Sequence, residues 1–165
     1  MKKIFVSLMI AASALSAAAA VAAPQSAHED LTPVAGTFSR FNYDGFTMLV
    51  PSGTLISKSD QEAVVKAADG TFGLSLKVEK DAAASPEAAL QLCSRLVSDL
   101  RIKGARVTRV SIHGMAGGRV QGTVEGAPIS VVVLDGSGKY VKLVVINMPD
   151  RADWADMAID SLSRQ

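Results

Sequence analysis

Apolar and polar residues alternate most clearly between residues 72 and 79. Every second residue there is apolar and the residues between them are small or polar, a period of two that is typical of a strand with one buried face. Asp69-Gly70 separates this strand from the apolar run at 63–67 and favours a hairpin, because glycine readily adopts the positive φ of a tight turn. Residues 46–50 alternate in the same way before Pro51 and predict the first strand, and 54–59 are predicted to form a short irregular edge strand.

A three- and four-residue spacing replaces this alternation after Ser85. Ser85, Pro86 and Glu87 supply an N-cap hydroxyl, a proline at the first helical position and an early carboxylate. Gly104 supplies the stop. The pattern therefore predicts one central helix whose apolar face consists of Leu90, Cys93, Leu96, Val97 and Leu100.

Four more β segments are predicted after this helix, separated by turns that contain glycine: 106–113, 119–124, 129–134 and 140–147. A last helix is predicted after Pro149, with Asp150 as its N-cap, Asp153 near the positive end of its dipole, and an apolar stripe of Trp154, Met157, Ala158 and Leu162. The order β-β-β-α-β-β-β-β-α predicts an α+β fold, an antiparallel β-sheet with a central helix and a C-terminal helix packed on it.

The N-terminal 22 residues have the layout of a secretory signal peptide. Lys2 and Lys3 precede an apolar core, and small residues follow it, so cleavage is expected near Ala22. The apolar run contains too few large apolar residues in succession to span a bilayer, so it does not predict a membrane anchor. No cysteine follows it, so the acceptor for a lipid anchor is missing. We therefore expect a periplasmic or secreted protein, with 1–22 as signal peptide, 23–40 as a flexible N-terminal arm and 41–165 as a single domain.

Composition and net charge disfavour some classes of function. The 165 residues contain 17 Lys and Arg, 16 Asp and Glu and one Cys, and the net charge is +1. Cleavage near Ala22 would leave about 143 residues with a net charge of about −1. A charge this close to zero disfavours a nucleic-acid-binding protein, and one cysteine excludes an intrachain disulfide.

Two segments, taken with the order of elements, resemble the PsbP/Mog-like superfamily. Its domains open with an aromatic–Gly–Phe–strand–Pro segment, which here is Tyr43 to Pro51 (YDGFTMLVP). They close with a helix that ends near an aliphatic–x–Ser pattern, which here is Ala158 to Leu162 (AIDSL). The similarity spans residues 41–165 and is closest to bacterial envelope proteins of the DcrB-like branch, although the lipobox cysteine of that branch is missing.

This resemblance implies a non-catalytic role without a cofactor, and no binding motif of the superfamily can be matched position by position. We therefore expect an exported binding or assembly-accessory module with an unknown protein partner, no nucleic acid and no membrane anchor after cleavage. Two alternatives remain open. One is a small-ligand carrier with a cavity lined by Phe72, Leu74, Leu96 and Trp154. The other is an envelope enzyme whose site gathers His113 with carboxylates.

Three groups of residues could support catalysis or metal binding. Cys93 and His113 could form a nucleophile and its base, but Cys93 lies in register with the apolar face of the central helix, where a thiol is a packing residue. His28 lies in the predicted arm and His113 at the end of a predicted strand, so they do not predict a zinc site, which needs three or four ligands close together. Asp153, Asp156 and Asp160 share one side of the last helix, and a solvated face explains them better than a calcium site.

Three further groups could bind a ligand or partner. Residues 114–118 (GMAGG) are rich in glycine, but a strand pattern follows them, which predicts a flexible hairpin loop and not a phosphate loop. Phe38, Phe41, Tyr43 and Phe46 could stack on a sugar or peptide, and core packing is the simpler interpretation. Four cations near the end of the central helix could bind an acidic partner or a lipid head group, or could simply favour solubility: Arg101, Lys103, Arg106 and Arg109.

Overall fold

A computed structural model of the chain describes the backbone of Leu31–Pro33 and the whole of residues 38–165. The predicted signal peptide 1–22, its cleavage near Ala22, and His28 lie outside the described residues, as does most of the predicted arm. Within the described part, no helix is both long enough and apolar enough to span a bilayer.

Strands dominate the described residues. The strands before the first helix are β1 (Leu31–Pro33), β2 (Phe38–Tyr43), β3 (Phe46–Pro51), β4 (Leu55–Lys58), β5 (Glu62–Lys66) and β6 (Phe72–Lys80). After helix α1 (Pro86–Asp99) come β7 (Lys103–Ile112), β8 (Met115–Val124), β9 (Ala127–Asp135) and β10 (Lys139–Asn147). A 3₁₀ turn (Pro149–Arg151), helix α2 (Ala152–Asp160) and β11 (Ser163–Arg164) complete the order.

The strands form two antiparallel sheets. The large sheet has seven strands in the order β4-β5-β6-β10-β9-β8-β7, and the small sheet has four in the order β1-β2-β3-β11. The predicted α+β class and antiparallel pairing are confirmed. The strands form two sheets and not the predicted single one, because β2 pairs with β3 and β3 pairs with β11 instead of joining the longer strands.

The main core lies between the two sheets. We call the side of the large sheet that faces the small sheet its inner face. Phe72, Leu74 and Leu76 of β6, which were predicted to point inward, are buried there, together with residues of β2, β3, β10 and α2. Its largest fully buried side chains include Phe41, Met48, Phe72, Leu74, Leu76, Leu143 and Leu162.

Helix α1 covers the outer face of the large sheet and forms a second core. Ser85 caps it as predicted, since its Oγ accepts a hydrogen bond from the Ala88 N–H at 3.2 Å. Ala89 and Cys93 are its buried residues, and the helix lies against β8 and β9. The helix approaches β8 so closely that a Cβ on Gly118 would lie 3.0 Å from the Cys93 Sγ.

Three predicted boundaries are corrected. Residues 38–40 belong to β2, where buried Ser39 faces the core in register with Phe41, so the sheet begins before the predicted end of the arm. Residues 115–118 belong to β8 and not to a loop, because Gly117 lies close against the backbone of Val133 in β9 and Gly118 lies close against α1.

The last helix starts later than predicted. Residues 149–151 form a 3₁₀ turn, α2 begins at Ala152, and Arg151 precedes it without a side-chain capping hydrogen bond, so Asp150 is not the N-cap. Its buried residues are Ala155, Ala158 and Ile159, whereas Met157 of the predicted apolar stripe is 41% exposed. Tight packing against the small sheet favours the alanines at these positions.

Candidate functional site

The structure does not bring Cys93 and His113 together. Cys93 is buried under α1 on the outer face of the large sheet. His113 lies in the exposed β7–β8 turn, and its Nε2 is 3.0 Å from the carbonyl oxygen of Asp160 at the end of α2. Burial raises the pKa of the Cys93 thiol to about 11, the opposite of what an activated nucleophile requires.

This burial predicts an unreactive thiol in the folded protein. We expect a thiol-specific reagent at pH 8 to label Cys93 only after denaturation, measured by mass spectrometry with and without urea. Because the pKa rises from 9.0 to about 11, folding favours the neutral thiol, and the free energy of unfolding should fall as the pH rises from 9 to 11. Rapid labelling of the native protein would contradict the buried placement.

The residues considered for a metal site, or for an enzyme site around His113, are not brought together either. Within the described residues, no group of three or more His, Cys, Asp or Glu side chains lies close enough to hold a metal ion. The three aspartates of α2 have different surroundings, since Asp156 pairs with Arg119 at 2.8 Å and the Asp160 carbonyl contacts His113. His113 borders a shallow groove of about 530 Å³, whose described lining contains no Asp or Glu.

The aromatic group is part of the main core, as the simpler interpretation predicted. Phe41 and Phe46 are buried, and the Tyr43 hydroxyl donates a hydrogen bond to the Ser59 carbonyl at 3.0 Å. The cavity proposed for a carrier is not formed by its predicted lining. Phe72 and Trp154 contact each other edge to face at 6.1 Å in the main core, while Leu96 packs in the core on the other side of the sheet.

The predicted basic residues lie along one edge of the large sheet. Lys103, Arg106 and Arg109 belong to β7, an edge strand of ten residues, and Arg101 lies in the turn that precedes it. Arg109 forms a two-pronged ion pair with Glu87 of α1, with N–O distances of 2.7 and 2.9 Å. This hydrogen bonding lowers the pKa of Glu87. The structure describes no ion pair of Lys103 or Arg106.

Strand β7 is more exposed than the strands beside it. Residues 103–107 are all exposed, and the side chain of Val107 is 38% exposed although it is apolar. The opposite edge of the sheet is β4, which has only four residues. An edge strand leaves alternate backbone N–H and C=O groups unpaired, so β7 offers a long row of hydrogen-bonding groups flanked by cations.

A small polar groove lies on the inner face of the large sheet, next to α2. It has a volume of about 200 Å³ and its polar lining consists of Arg119, Gln121, Ser130, Asn147 and Asp156. We call it the polar groove. The ion pair between Arg119 and Asp156 crosses 37 positions of the sequence, and nothing in the local pattern of either segment indicates it. Ser130 and Asn147 do interrupt apolar strands, and that is the signal that could have found the groove.

Comparisons with known proteins identify the fold. No family model matches the chain, and no curated protein sequence matches it. Its structure is similar to that of the cyanobacterial PsbP (CyanoP) from Synechocystis sp. PCC 6803, with a TM-score of 0.53 and 12% identity over 92% of this chain and 99% of that one. The chain therefore has a PsbP-like fold, as the resemblance in the sequence predicted.

A second similar structure is larger. It is a protein from Bacteroides thetaiotaomicron VPI-5482, with a TM-score of 0.55 and 14% identity over 79% of this chain. The chain spans about half of the length of that protein, since 49% of it is covered. Neither structure supports the DcrB-like branch in particular, and at these identities the similarity establishes the fold alone.

Proposed function

We propose that the protein is an exported, non-catalytic binding module that takes up an acidic, extended segment of a partner protein along strand β7. The signal-peptide pattern of residues 1–22 supports export, and the PsbP-like fold supports an accessory role. The observation on which the proposal depends is the long, exposed edge of β7 with its row of cations.

The backbone of β7 supplies the binding energy in this proposal. A partner segment that adds as an eighth strand would satisfy the outward N–H and C=O groups, as in other cases of strand addition. The added strand would run beside ten residues at β7 but beside only four at β4. A register shift between Lys103 and Arg106 makes the start of β7 irregular, so the regular pairing surface runs from Arg106 to Ile112.

The charges of β7 select the partner. Basic side chains on an edge strand discourage pairing with a second copy of the same edge, because two β7 strands would oppose like charges. The same side chains attract a segment with carboxylates at alternate positions. Lys103 and Arg106 both project to the inner side, since they pair with Thr123 and Gln121 of β8, so carboxylates at alternate positions of the partner would all lie on the side of these two cations.

The first test uses a defined peptide. We expect a peptide of alternating glutamate and threonine to bind the mature protein, to shift the amide NMR signals of β7 and to slow hydrogen exchange of its outward N–H groups. Exposed charges are screened over about 10 Å at 0.1 M salt, so the affinity should fall as salt increases. A peptide of alternating lysine and threonine is the control and should not bind.

Charge reversal on β7 is the matching variant test. Lys103→Glu combined with Arg106→Glu should weaken binding of the acidic peptide at least about tenfold, a change of about 1.4 kcal/mol. Lys80→Glu combined with Arg95→Glu reverses two exposed cations outside β7 and should leave binding unchanged. Equal weakening by both pairs, or signal shifts that avoid β7, would contradict the proposed surface.

A further inference from the structure

The inner face of the large sheet changes from apolar to polar beside α2. In the register of the sheet, Arg119 lies opposite Val132 and Asn147 lies opposite Phe72, so both polar residues project on the side of the main core. Gln121 lies opposite Ser130 on the same face. The small sheet and α2 cover the apolar part of this face, and the polar groove begins where that cover ends.

Two buried polar residues form part of this groove. Ser130 is 7% exposed and Asn147 is 4% exposed, although both occupy strands that are otherwise rich in valine, leucine and isoleucine. The Asn147 amide donates to the Met148 carbonyl at 2.8 Å. Polar groups at such positions cost free energy unless they are hydrogen-bonded, so their placement beside an open groove indicates a surface built to contact a polar molecule.

Arg119 and Asp156 add one charge of each sign. The Arg119 Nη2 lies 2.8 Å from the Asp156 carboxylate and 3.4 Å from the Ser130 hydroxyl. The Arg119 side chain is only 16% exposed, and its Nε–H is buried without a hydrogen-bond acceptor among the described residues. Asp156 is more than half exposed and keeps acceptor capacity. The groove therefore offers an unused donor on its cation and unused acceptors on its anion.

We infer that the polar groove binds a small zwitterion, a molecule with one carboxylate and one ammonium group such as a free α-amino acid. The ligand carboxylate would accept from the Arg119 guanidinium, and its ammonium would donate to Asp156. Gln121 and Asn147 would contact the remaining polar atoms. Ala152 and Ala155 of α2 line the opposite side, and their small side chains leave the groove open.

Size and charge argue against other ligands. A volume of about 200 Å³ corresponds to roughly six or seven water molecules, which suits a small amino acid and not a longer peptide. A simple anion would meet the Asp156 carboxylate, and a simple cation would meet Arg119. The described lining contains no aromatic ring on which a sugar could stack.

The test is an NMR titration of the mature protein with a panel of defined probes. Glycine, alanine and serine are the zwitterions, acetate carries only the carboxylate, methylamine carries only the ammonium, and xylitol is a neutral polyol. We expect at least one zwitterion to shift the Arg119 Nε–H signal and the side-chain amide signals of Gln121 and Asn147, with a Kd of about 1 mM or below. The three single-feature probes should cause no saturable shift.

Substitutions of Arg119 and Asp156 test whether these two charges bind the zwitterion. Arg119→Gln and Asp156→Asn should each weaken zwitterion binding at least about tenfold. Arg119→Lys keeps the charge without the planar fork and should weaken it less than Arg119→Gln. Lys142→Gln removes an ion pair with Glu79 from the outer face and is the control, with unchanged binding expected. Circular dichroism of each variant verifies that it is folded.

Several outcomes would overturn the inference. Acetate or xylitol binding as tightly as glycine would make the groove an anion site or a polyol site. The inference would also be wrong if none of the three zwitterions caused saturable shifts. It would be wrong as well if Arg119→Gln and Asp156→Asn, in folded variants, left the shifts unchanged. None of these outcomes affects the proposed function at β7, which has its own peptide and its own variants.

Discussion

Replacing Phe41 with alanine is expected to lower the free energy of unfolding by about 3–5 kcal/mol, the range for removing a large aromatic ring from a core. Phe41 is 0% exposed and lies in β2, opposite Met48 of β3, among the residues that join the two sheets. Lys58 also places its ammonium group 5.2 Å from the centre of the ring. The measurement is urea denaturation followed by circular dichroism.

The matched control is Phe38→Ala in the same strand. Phe38 is only half-buried, so less apolar surface is lost and the expected change is about 1–2 kcal/mol. A loss below about 1 kcal/mol for Phe41→Ala would mean that the small sheet does not share a core with the large one. It would also reopen the interpretation of these aromatic residues as a ligand-stacking surface.

Replacing Gly117 with alanine is expected to destabilise the protein by about 3 kcal/mol or more, at the upper end of overpacking effects. A Cβ at this position would fall on the carbonyl oxygen of Val133 in β9. Because β9 is paired on both sides, its backbone cannot move away without breaking hydrogen bonds to β8 or β10. Thermal and urea unfolding of the variant measure the effect.

Gly118→Ala is the neighbouring comparison. Its Cβ would lie 3.0 Å from Cys93 Sγ and 3.0 Å from Leu90 Cδ1, and these are side-chain atoms that can shift, so a loss of about 1 kcal/mol is expected. A flexible loop at residues 114–118 would tolerate both substitutions equally. Similar, small effects at the two positions would therefore contradict the assignment of this segment to β8.

Local sequence patterns correctly predicted the elements in which each residue's local preference agrees with its position in the fold. The alternation in β6 and the Asp69-Gly70 turn correspond to the β5–β6 hairpin, and Gly70 has a φ of +72°. Ser85 caps α1 as its position before Pro86 predicted. In these segments the local propensities and the tertiary packing favour the same conformation, so the sequence is sufficient.

Other elements depend on contacts that a local pattern does not contain. Glycine is usually a turn residue, and only the closeness of β9 and α1 explains why Gly117 and Gly118 lie within a strand. The small sheet also includes β11, whose two residues are too few to produce a pattern. The polar groove is assembled from β8, β9, β10 and α2, so its residues are separated in the sequence and could not be grouped by spacing.

The pairing of β3 with β11 affects the order in which the chain can fold. Thr47 pairs with Ser163, and the Leu49 N–H donates to the Ser161 hydroxyl at 2.8 Å, so the small sheet joins residues more than a hundred positions apart. Contacts of such long range form late and slow folding. Strands β4 to β10 precede α2 and β11 in the chain, so the large sheet can form before its cover is complete. Its apolar inner face therefore stays accessible to other apolar surfaces until the C-terminal helix and strand dock.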